Sequence, residues 1–196
     1  MTVTPNTPIL VAFTPSSVVG GASSVGKVTF TRAVVSDTVV TLSVVSGGSA
    51  IASMPASITV PAGSASGTWT VVTAPVASTI AVQISATANG GSKTGTLTVK
   101  PGTPTSVPFT PSTVTGGSSS NGRVNFSQPV AVDTEVTLAI VSGPQAIASY
   151  PPSVTVLAGT SSAAFSVTTV PVSQTTTVQF SATANGGTAT GNLTVK

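Results

Sequence analysis

Cysteine and histidine are absent from this chain of 196 residues, and only 9 residues are charged: 6 Lys+Arg and 3 Asp+Glu. Without cysteine there is no disulfide framework, thiolate nucleophile or zinc–thiolate cluster. Without histidine there is no Ser-His-Asp triad and no imidazole ligand for a metal. Three carboxylates are too few for most acid/base or divalent-cation sites. The composition therefore points away from catalysis, and no catalytic, cofactor-binding or metal-ligating residue is assigned. Long apolar runs are also missing. The longest early one is Ile9–Phe13, far short of the ~18–20 residues of a membrane helix. The N-terminus, Met1-Thr2-Val3-Thr4-Pro5, has no Lys or Arg and no apolar h-region, unlike a secretory signal peptide. The expectation is that a signal was removed, that the segment comes from a larger chain, or that export never used one.

The charges are unevenly shared. Residues 1–100 carry Lys27, Arg32, Lys93 and Lys100 against Asp37, leaving +3; residues 101–196 carry Arg123 and Lys196 against Asp133 and Glu135, leaving zero. Six scattered cations do not make the clustered phosphate contacts of a nucleic-acid surface. What is abundant is hydroxyl and β-branch: 29 Ser, 35 Thr and 32 Val. At this length, two domains of about 100 residues fit better than one.

Repetition bears that out within the sequence. Phe13-Thr14-Pro15-Ser16 returns as Phe109-Thr110-Pro111-Ser112, and Ser85–Gly91 returns as Ser181–Gly187. Leu97-Thr98-Val99-Lys100 returns as Leu193-Thr194-Val195-Lys196, always at an offset of 96. Residues 13–100 lie over 109–196 without a gap, with 52 of 88 positions identical. The expected domains are residues 1–100 and 101–196. Thr2-Val3 matches Thr98-Val99, which points to the tail of a further repeat upstream. The joint, Lys100-Pro101-Gly102-Thr103-Pro104, has two prolines in four residues and favours a short, semi-rigid extended spacer.

Within each repeat the apolar period is 2 rather than 3.6. Val40, Leu42 and Val44 alternate with Thr41 and Ser43; Val82, Ile84 and Ala86 alternate with Gln83 and Ser85. Valine and threonine suit a pleated, half-buried surface, and no segment forms a convincing helix. Breakers divide residues 1–100 into seven strands near 9–14, 24–31, 38–45, 57–60, 66–72, 79–88 and 92–99. Asn89-Gly90 joins the last two as a hairpin, because both central residues of that turn need φ > 0. The alternation predicts a core of Val28, Phe30, Val40, Leu42, Ile58, Val60, Trp69, Val71, Val82, Ile84 and Leu97. Seven strands with one polar face each make an immunoglobulin-type sandwich, so the fold class is all-β, two tandem seven-stranded β-sandwiches.

The run Ser57-Ile58-Thr59-Val60-Pro61-Ala62-Gly63-Ser64, a Thr/Ser-rich strand with Trp69, Pro75-Val76 and the closing Gly95-Thr96-Leu97-Thr98-Val99 resemble bacterial immunoglobulin-like repeats. The resemblance covers nearly the whole chain, twice. It implies tandem domains in large secreted or surface proteins. The antibody-type cysteine pair is missing and Trp69 is not on the third strand, so the antibody branch is not implied.

Four groups of residues invite a chemical reading. A Ser or Thr nucleophile needs a base; only Lys27, Lys93, Lys100 or a carboxylate could serve. The hydroxyls are expected to tile the outer faces of strands. Asp37 and Asp133 occupy one repeat position before a strand, where a loop Asp commonly bonds backbone two residues on; a structural turn role is expected, not calcium. Trp69, aligned with Phe165, alternates with Val71 and points inward as core rather than as a sugar-stacking platform. Tyr150 replaces Met54 near a turn and is a candidate exposed contact. Asn125-Phe126-Ser127 and Asn192-Leu193-Thr194 fit the N-glycosylation sequon, a match that arises by chance in so hydroxyl-rich a chain.

Three functions remain. The first is a non-enzymatic structural or adhesive module of an extracellular or surface-exposed repetitive protein or fibre. Its partners would be neighbouring repeats or copies of itself, with surface glycans as a further candidate, and neither nucleic acid nor membrane insertion. The second is a phage virion protein, since immunoglobulin-like domains also decorate capsids and tails. The third, ranked lowest, is a carbohydrate-binding accessory module, because most of the 8 aromatics fall on inward positions.

Overall fold

Strand-forming Val and Thr dominate the chain, and strands dominate the structure. The computed structural model describes residues 5–196, which divide into two compact units between Lys100 and Pro101. The Thr2-Val3 match lies outside the described residues.

Unit 1 contains β1 (Pro8–Thr14), β2 (Ser17–Val19), β3 (Ser23–Phe30), β4 (Thr38–Ser46), β5 (Ile51–Ser53), β6 (Ser57–Val60), β7 (Ser66–Thr73), β8 (Ile80–Ala88) and β9 (Gly91–Lys100). One sheet has the order β1-β3-β7-β5 and the other β2-β9-β8-β4-β6. Packed face to face, they make an immunoglobulin-like β-sandwich. Every pairing is antiparallel except β2 with β9. Each of the seven expected strands has its counterpart. The two short additions, β2 and β5, carry no periodicity of their own and exist because a partner strand lies beside them. A 3-10 turn at Gly48–Ala50, entered from Gly47 at φ 73°, supplies the small amount of helix that the sequence did not foretell.

Alternation placed the core well. Ten of the eleven expected side chains are buried, and Ile58 is partly buried, packed against the cluster. Ile58 sits on the four-residue edge strand β6, and its side chain meets the bare backbone of Gly67. The alternation fails at Val44, which is exposed: β6 pairs with β4 only over Thr38–Thr41, so the far end of β4 is uncovered. Gly26 stands opposite Trp69 in the β3–β7 ladder, and the indole fills the space that a Cβ would need. The β8–β9 turn has Asn89 at φ 52° and Gly90 at φ 79°, as a two-residue type I′ hairpin requires.

Unit 2 contains β10 (Pro104–Ser106), β11 (Phe109–Thr110), β12 (Thr113–Val114), β13 (Ser119–Phe126), β14 (Thr134–Ser142), β15 (Ile147–Ser149), β16 (Ser153–Val156), β17 (Ser162–Thr169), β18 (Thr176–Ala184) and β19 (Gly187–Val195). Its sheets are β10-β13-β17-β15, with β11 also on β13, and β12-β19-β18-β14-β16. Seventeen of the 19 buried apolar side chains of unit 1 are the same residue type 96 positions on; the exceptions are Trp69, where Phe165 stands, and Ile84, where Phe180 stands. The continuous β1 of unit 1 is split in unit 2 because Ala12 gives way to Pro108. Pro108 accepts a hydrogen bond from the Arg123 N–H at 2.9 Å but has no N–H to return.

Candidate functional site

The two repeat-position aspartates are bound into the fold. The Asp37 carboxylate accepts the Ala62 N–H at 2.9 Å, and the Asp133 carboxylate accepts the Ala158 N–H at 2.8 Å. Their role is structural, but the partner lies 25 residues away rather than two. They pin the loop before β4 or β14 to the turn after β6 or β16, which no local rule could foresee. The local bond is made instead by Thr38 and Thr134, whose hydroxyls donate two residues back to the Ser36 and Val132 carbonyls.

Among the described residues most hydroxyl side chains are exposed or partly exposed, and four are buried: Ser24, Thr73, Ser120 and Thr169. Ser24 and Ser120 donate to the Pro15 and Pro111 carbonyls, each at 2.7 Å. Thr73 donates to the Ala22 carbonyl at 2.6 Å and accepts the Gly21 N–H at 3.1 Å; Thr169 donates to the Ser118 carbonyl. These bonds close loops at the ends of the sandwich. Among the described residues there is no group of three or more His, Cys, Asp or Glu side chains placed to hold a metal ion, and no helix is long and apolar enough to cross a membrane.

Trp69 is buried, edge-to-face against Phe13 with ring centroids 6.1 Å apart, and its indole Nε1 has no hydrogen-bond partner. It is core. Of the two sequon asparagines, Asn192 is exposed, while the Asn125 amide donates to the Ser106 hydroxyl at 3.0 Å on the sheet face. Arg123 also lies on that face and donates twice to the Ser162 hydroxyl, at 3.0 and 2.7 Å.

Tyr150 is different. Its ring is half-buried, edge-to-face with Phe180 at 5.4 Å, and it lines an open groove with Ile140, Pro144, Ile147, Ala148 and Ser149. Across the one-turn 3-10 segment Pro144–Ala146 lies a polar depression of about 360 Å³ lined by Gln145, Pro171, Val172, Ser173, Gln174 and Thr176. Unit 1 has a cleft of about 330 Å³ of its own, beside Asn6, Arg32 and Asn89. Reading the two repeats for what they share does not find these concavities. The signal lies in where they differ: Tyr150, Gln145 and Gln174 stand where unit 1 has Met54, Ser49 and Ser78.

No protein-family model and no curated protein sequence matches the chain. Among solved structures, it is similar to the Yersinia pseudotuberculosis adhesin InvE at 15% identity and a TM-score of 0.42, covering 97% of this chain and 60% of that one. It is also similar to the calcium binding domain CBD12 of CALX1.1, at 9% identity and TM-score 0.42, covering 91% of this chain and 82% of that one. The titin domains z1z2, solved in complex with telethonin, align over 98% of this chain and 96% of theirs at 15% identity and TM-score 0.37. The chain thus spans less than two thirds of the InvE structure.

Proposed function

We propose that the chain is a non-enzymatic structural and adhesive module, two immunoglobulin-like units that extend and present a surface within a larger surface-exposed protein or fibre. One observation carries the reading: the two repeat-position aspartates and the four buried hydroxyls are engaged by the fold. Both repeat-position aspartates hold backbone across a loop, and the buried hydroxyls close loop carbonyls. What remains outside is a weakly charged, hydroxyl-rich surface, suited to contact with neighbouring repeats or copies of itself. With 5% charged residues against about 25% in a typical soluble domain, little long-range repulsion keeps like surfaces apart. Immunogold labelling with antibodies to this chain, on intact cells and on thin sections, tests the reading. Regularly spaced surface label is expected. Label confined to the cytoplasm overturns it, and label on released phage particles reassigns the chain to virion decoration.

A further inference from the structure

One corner of unit 2 differs from its counterpart in unit 1 both at its surface and in the core beneath it, where Phe180 under Tyr150 replaces Ile84. The backbone frame is shared: the turn Pro144–Ala146 matches Gly48–Ala50, and the Val170 N–H donates to the Ala146 carbonyl as the Ala74 N–H does to the Ala50 carbonyl. Side chains on that frame have changed together. Met54 becomes Tyr150, Gly48 becomes Pro144, Ser49 becomes Gln145, Ser78 becomes Gln174 and Ile80 becomes Thr176. The result is an aromatic-walled groove on one side of the turn and an amide- and hydroxyl-lined depression on the other.

The lining selects a ligand class. No charged side chain lines either concavity, so neither a phosphate nor a carboxylate finds a counter-ion. Two glutamine amides, each both donor and acceptor, suit a ligand that is itself donor and acceptor at adjacent positions. The Tyr150 ring offers a flat apolar surface and is seated on Phe180 rather than free to swing, which lowers the entropy lost on binding. A pyranose answers each feature, with vicinal hydroxyls at its rim and a C–H face above and below. The turn is itself stiff: Pro144 fixes its first position, and the Thr176 hydroxyl bonds the Gln174 carbonyl at 3.0 Å, holding the facing loop.

We propose that this corner of unit 2 binds a neutral saccharide chain, with Tyr150 stacking on a sugar ring and Gln145 and Gln174 hydrogen-bonding its hydroxyls. The proposal rests on the adhesive reading above and names its ligand class. Unit 1, with Met54, Ser49 and Ser78, lacks the site.

The test is an NMR titration of the full 196-residue chain, isotopically labelled, with cellotriose, maltotriose, mannotriose and chitotriose. A short Thr/Val peptide is titrated in parallel. At least one trisaccharide is expected to shift the Gln145 and Gln174 side-chain amides and the backbone around Tyr150, saturably. Tyr150→Met is expected to weaken that binding by about tenfold or more, as loss of an aromatic anchor does; Gln145→Ser with Gln174→Ser is expected to weaken it several-fold. These variants install residues that the matching backbone carries in unit 1, and an otherwise unchanged amide spectrum of unit 2 shows that each variant keeps its fold. The proposal is overturned if no trisaccharide shifts these residues, if binding survives Tyr150→Met undiminished, if the shifts fall on unit 1, or if only the peptide binds. Failure here with cell-surface label intact leaves the structural reading standing. Saccharide binding by a chain that never reaches a surface overturns the adhesive reading instead.

Discussion

At the scale of single residues, the two units solve one packing problem in two ways. Unit 1 fills its centre with Trp69 and Ile84, and unit 2 with Phe165 and Phe180, whose ring centroids lie 6.3 Å apart. The smaller ring at one position is matched by a larger side chain at the other. Alternation revealed that both positions face inward, but it carries no information about which volumes are paired. The trade predicts coupling. Trp69→Phe alone should leave a void and Ile84→Phe alone should overpack, each costing about 1–3 kcal/mol. Combined, they should cost less than their sum, because contacting core positions are not additive. Denaturant unfolding of the four proteins in the cycle checks this, and additive costs would refute it. The unpartnered Trp69 Nε1 lowers the cost of Trp69→Phe equally in both backgrounds, since phenylalanine removes a buried donor without a bond, and so leaves the coupling unchanged.

At the scale of elements, the sheet edges are managed by geometry rather than charge. The edge strands β2 and β5 have three residues each and β6 has four, which leaves little ladder for an incoming strand. The seven-residue β1 is also an edge, but its Val11 carbonyl lies against Gly95 of β9, where any Cβ would collide with it. Glycine there draws the two sheets together along one side. Gly191 and Val107 repeat the arrangement in unit 2. The Asn-Gly hairpins were plain from the sequence because their cause is local. The seam was not, because Gly95 looks like any strand glycine until β1 is beside it. Unit 2 offers a direct test of the ladder. Pro108→Ala should restore the N–H that β1 has at Ala12, join β10 and β11 into one strand, and protect the new amide from hydrogen exchange. Rapid exchange at residue 108 would show that Pro108 is not the cause of the break.

At the scale of the molecule, each unit has its own core and its own closed set of strands. A sandwich of this size buries roughly 60–65% of its chain surface on folding. Residues 1–100 and 101–196, expressed separately, should therefore each unfold cooperatively. A disordered half would mean that the units depend on one another. Their outer faces differ more than their cores. Unit 1 exposes Leu10 and Val25 on the β1-β3-β7-β5 sheet, where unit 2 has Ser106 and Asn121. If like surfaces associate, unit 1 should do so more strongly. Sedimentation over a wide concentration range is expected to show self-association of residues 1–100 that falls in Leu10→Ser with Val25→Asn. A strict monomer at millimolar concentration would sink that expectation.

The duplication, the strand positions, the inward residues and the tight hairpins were determined by the sequence alone, because each shows as a pattern along the chain: an offset of 96, a period of 2, or a choice of neighbouring residues. Tertiary structure alone decided the rest. It set the far partners of Asp37 and Asp133, the short strands β2 and β5, the glycine seams, and the seating of Tyr150 on Phe180. Those features arise from contacts between segments tens of residues apart, where a side chain's surroundings are set by the sandwich and not by its neighbours in the chain.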